Sequence, residues 1–563
     1  MSIAFSDNLD KYKVYSFDIF DTLLLRPYID PQEVWRVIEE EEGAVGYAVD
    51  RKSADSFTNQ RAIMRKGETS IDEAYQLIPQ WCHLKQKELD KEREILSPNS
   101  EMAKLWNELG RRGKRRIIIS DMYLPKDYLE TLLREKGIDG WDAFYLSSDR
   151  NARKSSGNLF RVMLKEEGVN PAEICHIGDN KHSDVEVPVS LGINAIHYPK
   201  ISERFFNICP FASYADQKLT GSLALGWHEF LCNHDQVSYW HRFGYVLGGV
   251  LGYLYVSWIV ETARIVGIDH LMFVGRDGYA WQKICNALYP EIRTDYFYAP
   301  RIMSIAALGA TGSHIPHVVR DRQTYMDDHL HGVDQEKVRD TYREYLHQFT
   351  FDDRTAIVDG CSSGFSAQRM VENALGRRVF SFYLMTMGLT HYGACLYYAE
   401  HHSLPFLSLS EFLFSAPTPP VFWVSKEKVQ YPEVIYSDEQ FKIDVSVDIT
   451  KGIVACAKRL HKDKIRLTAH QWIKYCDDFM IHLTDKDKEM LSKARNATDV
   501  QQKNFSAITF TLKHVSRRLF GYPLFTRMDN FSNGRLYYER YFLGILKFAK
   551  GSYQWYDVNQ IVQ

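Results

Sequence analysis

A chain of 563 residues, 45% hydrophobic and 25% charged, has the composition of globular protein in two to four domains, which excludes a disordered chain. A formal net charge of −3 speaks against a strongly basic nucleic-acid binder, and nine scattered cysteines without a CxxC pair argue against a disulfide framework or structural zinc site. The N-terminal MSIAFSDNLDKYK has no apolar segment behind a basic lead, so no signal peptide is read and a cytoplasmic setting is expected.

Val14 and Tyr15 lead into SFDIFDTLLLR at 16–26, a short strand that runs directly into Asp18 with Thr22 four residues on. A carboxylate at the carboxyl end of a strand is how a parallel sheet presents a nucleophile, although singly it reads equally well as a helix cap. Asp30-Pro31-Gln32-Glu33 reads as a capping box with Pro at the first helical position, and Ser70-Ile71-Asp72-Glu73 as a second one. Apolar residues at helical spacing follow each box, and Met102, Leu105, Trp106 and Leu109 repeat the pattern before Gly110, so residues 26–110 are expected to be helical.

From Arg116 onward the pattern becomes α/β. Ile117–Ile119 ends at Ser120, Leu129, Leu132 and Leu133 mark a helix, AFYLSS at 143–148 is a strand, RKSSGNLF at 153–160 carries Lys154, and ICHIGDNKHSD at 174–184 carries Asp179 and Asp184. Strands alternating with helices predict a doubly wound parallel sheet with these residues at its carboxyl edge.

Strand-Asp, strand-Ser, Lys and strand-GDxxxxD, in that order, resemble the four motifs of the haloacid dehalogenase (HAD) superfamily over residues 1–200. The resemblance implies a Rossmann-like domain with 26–110 as a helical C1 cap. It also implies a phosphoryl-transfer site in which Asp18 attacks phosphorus, Ser120 and Lys154 bind the phosphoryl oxygens, and Mg²⁺ is held by Asp18, the Phe20 carbonyl, Asp179 and Asp184. Acids this closely grouped would repel one another without a cation, which favours phosphoryl chemistry over carbon–halogen cleavage. One departure stands out: the usual pattern DxDGT has a second Asp two residues after the nucleophile, and here that position is Phe20 while Asp21 falls where Gly is usual. Either Asp21 serves as general acid, against the plainer reading that it caps the loop, or another group does, or the aspartyl-phosphate is long-lived, which would suit a phosphotransferase better than a phosphatase. FDIFDTLLLR followed by a helical cap and a second large region also resembles long HAD hydrolases of bacterial surface-polysaccharide gene clusters. That resemblance implies a small sugar or polyol phosphate as substrate.

Residues 200–235 read as a linker where regular patterning lapses around Cys209-Pro210. Phe243 to Val260 contains eighteen residues without a charge and with Gly244, Gly248 and Gly252 at small-xxx-small spacing; it is expected to be a buried helix rather than a membrane span. LMFVGRDGYAW at 271–281 and TAIVDGCSSGFSAQRM at 355–370 each read as strand, turn and helix. They place Arg276, Asp277 and Gly278 at one turn, Asp359 at the end of the second strand, and Ser362 and Ser363 at the opening of the helix after it, as ligand candidates of a second Rossmann-like region over 236–440. The pair supports an alternative in which a glycosyl- or phosphotransferase activity centres on the second region, while a non-catalytic assembly protein is a third class. Asp327-Asp328-His329-Leu330-His331 reads as a solvated loop. Residues 441–563 read as a mainly helical region, with nine Lys or Arg against three acids from 500 onward among interleaved aromatics. No nucleic-acid module accompanies that charge, so a phosphorylated glycan or a membrane surface is the expected partner, beside packing of Lys and Arg stems over aromatic rings.

Overall fold

The computed structural model describes residues 9–65, 67–234, 236–310, 316–362, 364–386, 392–398, 406–497, 500, 505–507, 525–532, 535–542 and 546–555, the last stretches from 501 onward by backbone alone. The chain forms two compact units, residues 1–209 with 216–236, and residues 210–215 with 237–563.

The first unit is built on a five-stranded sheet of β1 (Val14–Phe17), β2 (Arg115–Ser120), β3 (Ala143–Leu146), β4 (Ile174–Gly178) and β5 (Asn194–His197), in the order β3-β2-β1-β4-β5. Every pairing is parallel, and Phe17 lies in register with both Ile118 and Ile177. Ile117, Ile118 and Ile119 are fully buried because helices cover both faces, which is why the strand reads as an unbroken apolar run.

Four helices, α1 (Glu33–Glu42), α2 (Tyr47–Met64), α3 (Ile71–Leu77) and α4 (Lys85–Ile95), make up the inserted cap. Its two stems pair antiparallel, Leu24 with Pro98 and Leu25 with Ser97. Helix α5 (Ser100–Arg111), expected to close the cap, belongs instead to the sheet layer: its buried stripe brings Trp106 edge-on to Phe17 at 5.3 Å. The cap therefore ends near residue 96 rather than 110. Ser70 Oγ accepts from Glu73 N at 3.3 Å and caps α3 as its sequence predicts. At Asp30 the expected box is a turn instead, with Asp30 Oδ1 accepting from Gln32 N at 2.9 Å and the helix starting at Glu33.

Helices α6 (Lys126–Glu135) and α7 (Asn158–Glu167) complete the layers around the sheet. The stretch read as a linker, 200–235, carries α8 (Ile201–Ile208) and α9 (Gln217–Leu231), and most of it joins the first unit. Asp216 starts α9 by accepting from Lys218 N and Leu219 N, and the helix buries Leu219, Leu223, Leu225 and Trp227, an apolar face that a free linker would not carry.

The second unit opens with α10 (Tyr239–Val266), 28 residues long, apolar enough to cross a membrane by length and composition, with 94% of its most apolar window buried inside the structure. Five parallel strands follow: β6 (His270–Val274), β7 (Arg293–Phe297), β8 (Thr355–Ser362), β9 (Phe380–Thr386) and β10 (Gly393–Tyr398), ordered β10-β9-β8-β6-β7. Interleaved with them are α11 (Gly278–Leu288), α12 (Arg301–Leu308), α13 (Pro316–His329), α14 (Gln335–Leu346), α15 (Ser366–Leu375) and α16 (Phe406–Leu413). Asp327 to His329 close α13 rather than lying in a loop, so the first part of that acidic tract has a helical frame.

The mainly helical C-terminal part is α17 (Ser437–Lys462), α18 (Ala469–Ile481) and α19 (Asp485–Leu491). Helix α17 packs on α10: a Cβ at Gly244 would lie 2.1 Å from the Ile449 carbonyl oxygen, so the small residues serve a close helix crossing within the unit. Beyond them, β11 (Phe525–Ser532), β12 (Arg535–Phe542) and β13 (Leu546–Trp555) form an antiparallel meander that joins the sheet through β13 and β10. The side chains of the basic aromatic stretch from 501 onward lie outside the described residues.

Candidate active site

Because β1, β2 and β4 run side by side, the residues at their carboxyl ends meet over one edge of the first sheet. Asp18 follows β1, Ser120 ends β2 and Asp179 follows β4; Asp184 comes from the turn after β4, and Lys154 from the loop before α7. These side chains line one cleft of about 410 Å³ together with Phe20, Asp21 and Asp121.

Lys154, 2% exposed, is the hub. Its Nζ donates to Asp18 Oδ1 at 2.7 Å and to Asp184 Oδ1 at 2.6 Å. Burial works against the ammonium charge, but Asp18, Asp184 and Asp121 hold its pKa above the ordinary lysine value. Burial pushes the Asp18 carboxyl up, an effect that Lys154 and the Ser120 hydroxyl oppose and Asp184 reinforces. Burial and the nearby Asp18 and Asp21 push Asp179 up to about 7, with Lys200 acting against them. Asp184 goes the other way: despite burial, Lys154 and His176 hold it well below the usual carboxylate range.

Asp18, Asp179 and Asp184 each offer a carboxylate oxygen, all within 4.8 Å of one another, and no other such group of potential metal ligands occurs among the described residues. Five carboxylates, those of Asp18, Asp21, Asp121, Asp179 and Asp184, face two ammonium groups, Lys154 and Lys200. That excess of negative charge in a buried setting fits a divalent cation with oxygen ligands.

Several partners were not legible beforehand. His176 Nε2 donates to Asp184 Oδ1 at 3.1 Å, and Ser16 Oγ meets His176 Nδ1 at 2.9 Å, so a fully buried chain orients Asp184 from within β1 and β4. The signal was polar residues in otherwise apolar strands. Asp121 accepts from the Lys154 and Ser155 amides at 2.7 and 3.3 Å and so sets the loop that presents Lys154; burial pushes its carboxyl up to about 6. Lys200, in the stretch read as a linker, reaches Asp21 Oδ2 at 3.2 Å and Asp179 Oδ2 at 3.5 Å. Gly178 is small by necessity, since a Cβ there would sit 2.5 Å from Asp184 Cγ.

Asp21 takes φ 54°, the left-handed region that Asp and Asn tolerate better than most residues, and this lets Leu24 N close the turn on Ile19 O at 2.8 Å. It lines the cleft with its carboxylate on Lys200. Phe20 also lines the cleft, its ring 4.9 Å from the Arg26 guanidinium, which pairs with Glu92 of α4 at 3.7 Å. The cap is seated on the core next to Lys154: Arg153 donates to the Gly67 carbonyl at 3.0 Å and to Glu68 Oε1 at 2.6 Å. Tyr123, just past Ser120, reaches Glu88 of α4 at 3.2 Å.

Of the second-region candidates, Arg276, Asp277, Gly278, Asp359 and Ser362 come together at the carboxyl edge of the second sheet, while Ser363 lies outside the described residues. Ser362 Oγ accepts from Phe365 N at 2.8 Å.

A family model for haloacid dehalogenase-like hydrolases matches residues 12–192. No curated protein matches this chain. Among solved structures, L-2-haloacid dehalogenase from Xanthobacter autotrophicus is 18% identical, with 33% of this chain and 77% of that chain covered and a TM-score of 0.26. An HAD family enzyme from Bacteroides thetaiotaomicron is 15% identical, with 34% and 94% covered and a TM-score of 0.27. A variant of that enzyme, in complex with magnesium and inorganic phosphate, is 14% identical, with 34% and 95% covered and a TM-score of 0.27. With the motif residues gathered over one edge of a parallel sheet beneath a helical cap, residues 12–192 are a hydrolase domain of the haloacid dehalogenase superfamily.

Proposed function

We propose that the first unit is a Mg²⁺-dependent phosphatase that works through an aspartyl-phosphate on a small phosphorylated metabolite. The observation that carries this reading is the buried grouping of Asp18, Asp179 and Asp184 with Lys154 bonded to the nucleophile candidate. Asp18, the Phe20 carbonyl, Asp179 and Asp184 would hold Mg²⁺, which supplies positive charge against the phosphoryl oxygens. Lys154 and Ser120 bind the same oxygens, and Asp18 Oδ attacks phosphorus as the bond to the leaving oxygen breaks. Asp21, on the cleft wall, protonates the leaving oxygen, and water then cleaves the acyl phosphate to free Asp18.

A cleft of about 410 Å³ under a seated cap suits a substrate of metabolite size, and the resemblance of FDIFDTLLLR to hydrolases of surface-polysaccharide clusters points to a sugar or polyol phosphate in a cytoplasmic setting. The test is phosphate release from a panel of phosphorylated metabolites with and without Mg²⁺. Asp18→Asn, nearly isosteric but unable to attack, is expected to bring turnover on every active ester to background. Wild-type rates in that variant, or full activity in EDTA, would sink the reading.

A further inference from the structure

The second sheet has its own crevice. From β6 the chain moves outward to β7 on one side and returns to β8 on the other, so the carboxyl ends of β6 and β8 flank a point where strand order reverses, the usual ligand position in open parallel sheets. Asp277 follows β6, Asp359 lies near the end of β8, Arg301 opens α12 after β7, and Arg369 sits in the first turn of α15 after β8.

Helix α13 adds the decisive side chain. Tyr325 packs with Ile302 and Ile305 of α12, and one turn earlier Arg322 is nine-tenths buried with its Nε lacking any hydrogen-bond partner. Among the described residues no carboxylate pairs with Arg322 or Arg301; the nearest acid along the helix, Asp321, accepts from Val500 N at 2.9 Å. Burial, with the charges of Arg301 and Arg369 adding to it, holds the Arg322 pKa below the ordinary arginine value. A buried guanidinium with an orphaned Nε, under the positive charge of two further arginines, is unfavourable unless an anion completes it.

We propose that this edge of the second unit binds a phosphate-bearing ligand, with Arg322, Arg301 and Arg369 gripping the phosphate next to Asp359 and Asp277. Three guanidinium charges suit a dianion with tetrahedrally arranged oxygens better than a carboxylate, which a single fork satisfies. The first turn of α15 lends free amides to the same charge. Burial pushes Asp277 up to about 7 and Asp359 up to about 6, so a proton can reside beside the bound phosphate near neutral pH. The proposal concerns the second unit alone and stands whether or not the first unit is a phosphatase.

Calorimetric titration of the full-length protein in EDTA with inorganic phosphate and with uridine diphosphate tests it. Wild type and Lys154→Gln are expected to bind one equivalent alike, while Arg322→Gln and Arg301→Gln bind roughly ten-fold or more weakly. Both arginine variants should hydrolyse an aryl phosphate at the wild-type rate. Tighter binding of the nucleotide would identify a nucleoside diphosphate as the ligand class; equal binding would identify a bare phosphate group. If Arg322→Gln fails to fold, Arg301→Gln decides, because that side chain is exposed. Absence of binding by wild type, full binding by Arg301→Gln, or loss of binding in Lys154→Gln overturns the proposal.

Discussion

Asp21 is the residue on which the chemistry of the first unit turns. Its φ of 54° means that replacement by Ala would mix a backbone cost with a chemical one, whereas Asn accepts that conformation and removes only the acid. If Asp21 protonates the leaving group, Asp21→Asn lowers turnover by roughly 10² or more on esters of poor leaving groups and far less on an activated aryl phosphate, which departs without a proton. Equal losses on both substrates would make it a structural partner of Lys200. Gly178 gives a second residue-scale expectation. Gly178→Ala drives a methyl into Asp184, so Mg²⁺ activation should shift to higher metal concentration by roughly an order of magnitude. An unchanged activation curve would show that Asp184 has room to move.

At the scale of elements, a buried histidine of helix α9 reaches the core. His228 is buried, its Nε2 2.9 Å from Asn99 Oδ1, and Asn99 Nδ2 in turn donates to the Thr22 carbonyl at 2.7 Å. Burial, with the Arg204 charge beside it, pulls His228 down from 6.5 to about 4. The unfolded chain thus takes up a proton that the folded one refuses, and stability is present above pH 6.5 and lost as pH falls toward 4, on the order of 3 kcal/mol in all. Melting temperatures from pH 7 to 4 should fall less steeply in His228→Gln; parallel curves would refute the assignment.

The cap has an analogous centre, where Arg51 makes two bonds to Glu88 at 2.8 and 2.9 Å and Tyr75 donates to the same carboxylate at 2.8 Å. Glu88→Gln leaves the buried guanidinium only the longer pairing with Asp55 at 3.7 Å and is expected to cost about 3–5 kcal/mol in urea unfolding. A cost below about 1 kcal/mol would show that water reaches the pair.

At the scale of the whole molecule, α10 poses the question of membrane or core. Its glycines face α17 and its apolar surface is taken up within the second unit, leaving little for lipid. The protein is expected to purify without detergent, and recovery in a salt-washed membrane pellet would reverse that reading, since salt releases peripheral contacts but not a span.

What could be read from the amino acids alone was whatever rests on local order: the apolar runs of the strands, the Ser70 cap, the succession Asp18, Ser120, Lys154, Asp179, and the turn at Arg276. Strand-end chemistry is legible because a parallel sheet places consecutive βα loops at one edge whatever lies between them. Only the tertiary structure could show that α5 leaves the cap for the sheet, since an amphipathic stripe does not say which surface it will meet. The same holds for Lys200 on Asp21, His176 behind Asp184, and Arg322 among its fellow arginines. Those pairings join residues with no sequence period between them, and long-range packing alone brings their charges within reach.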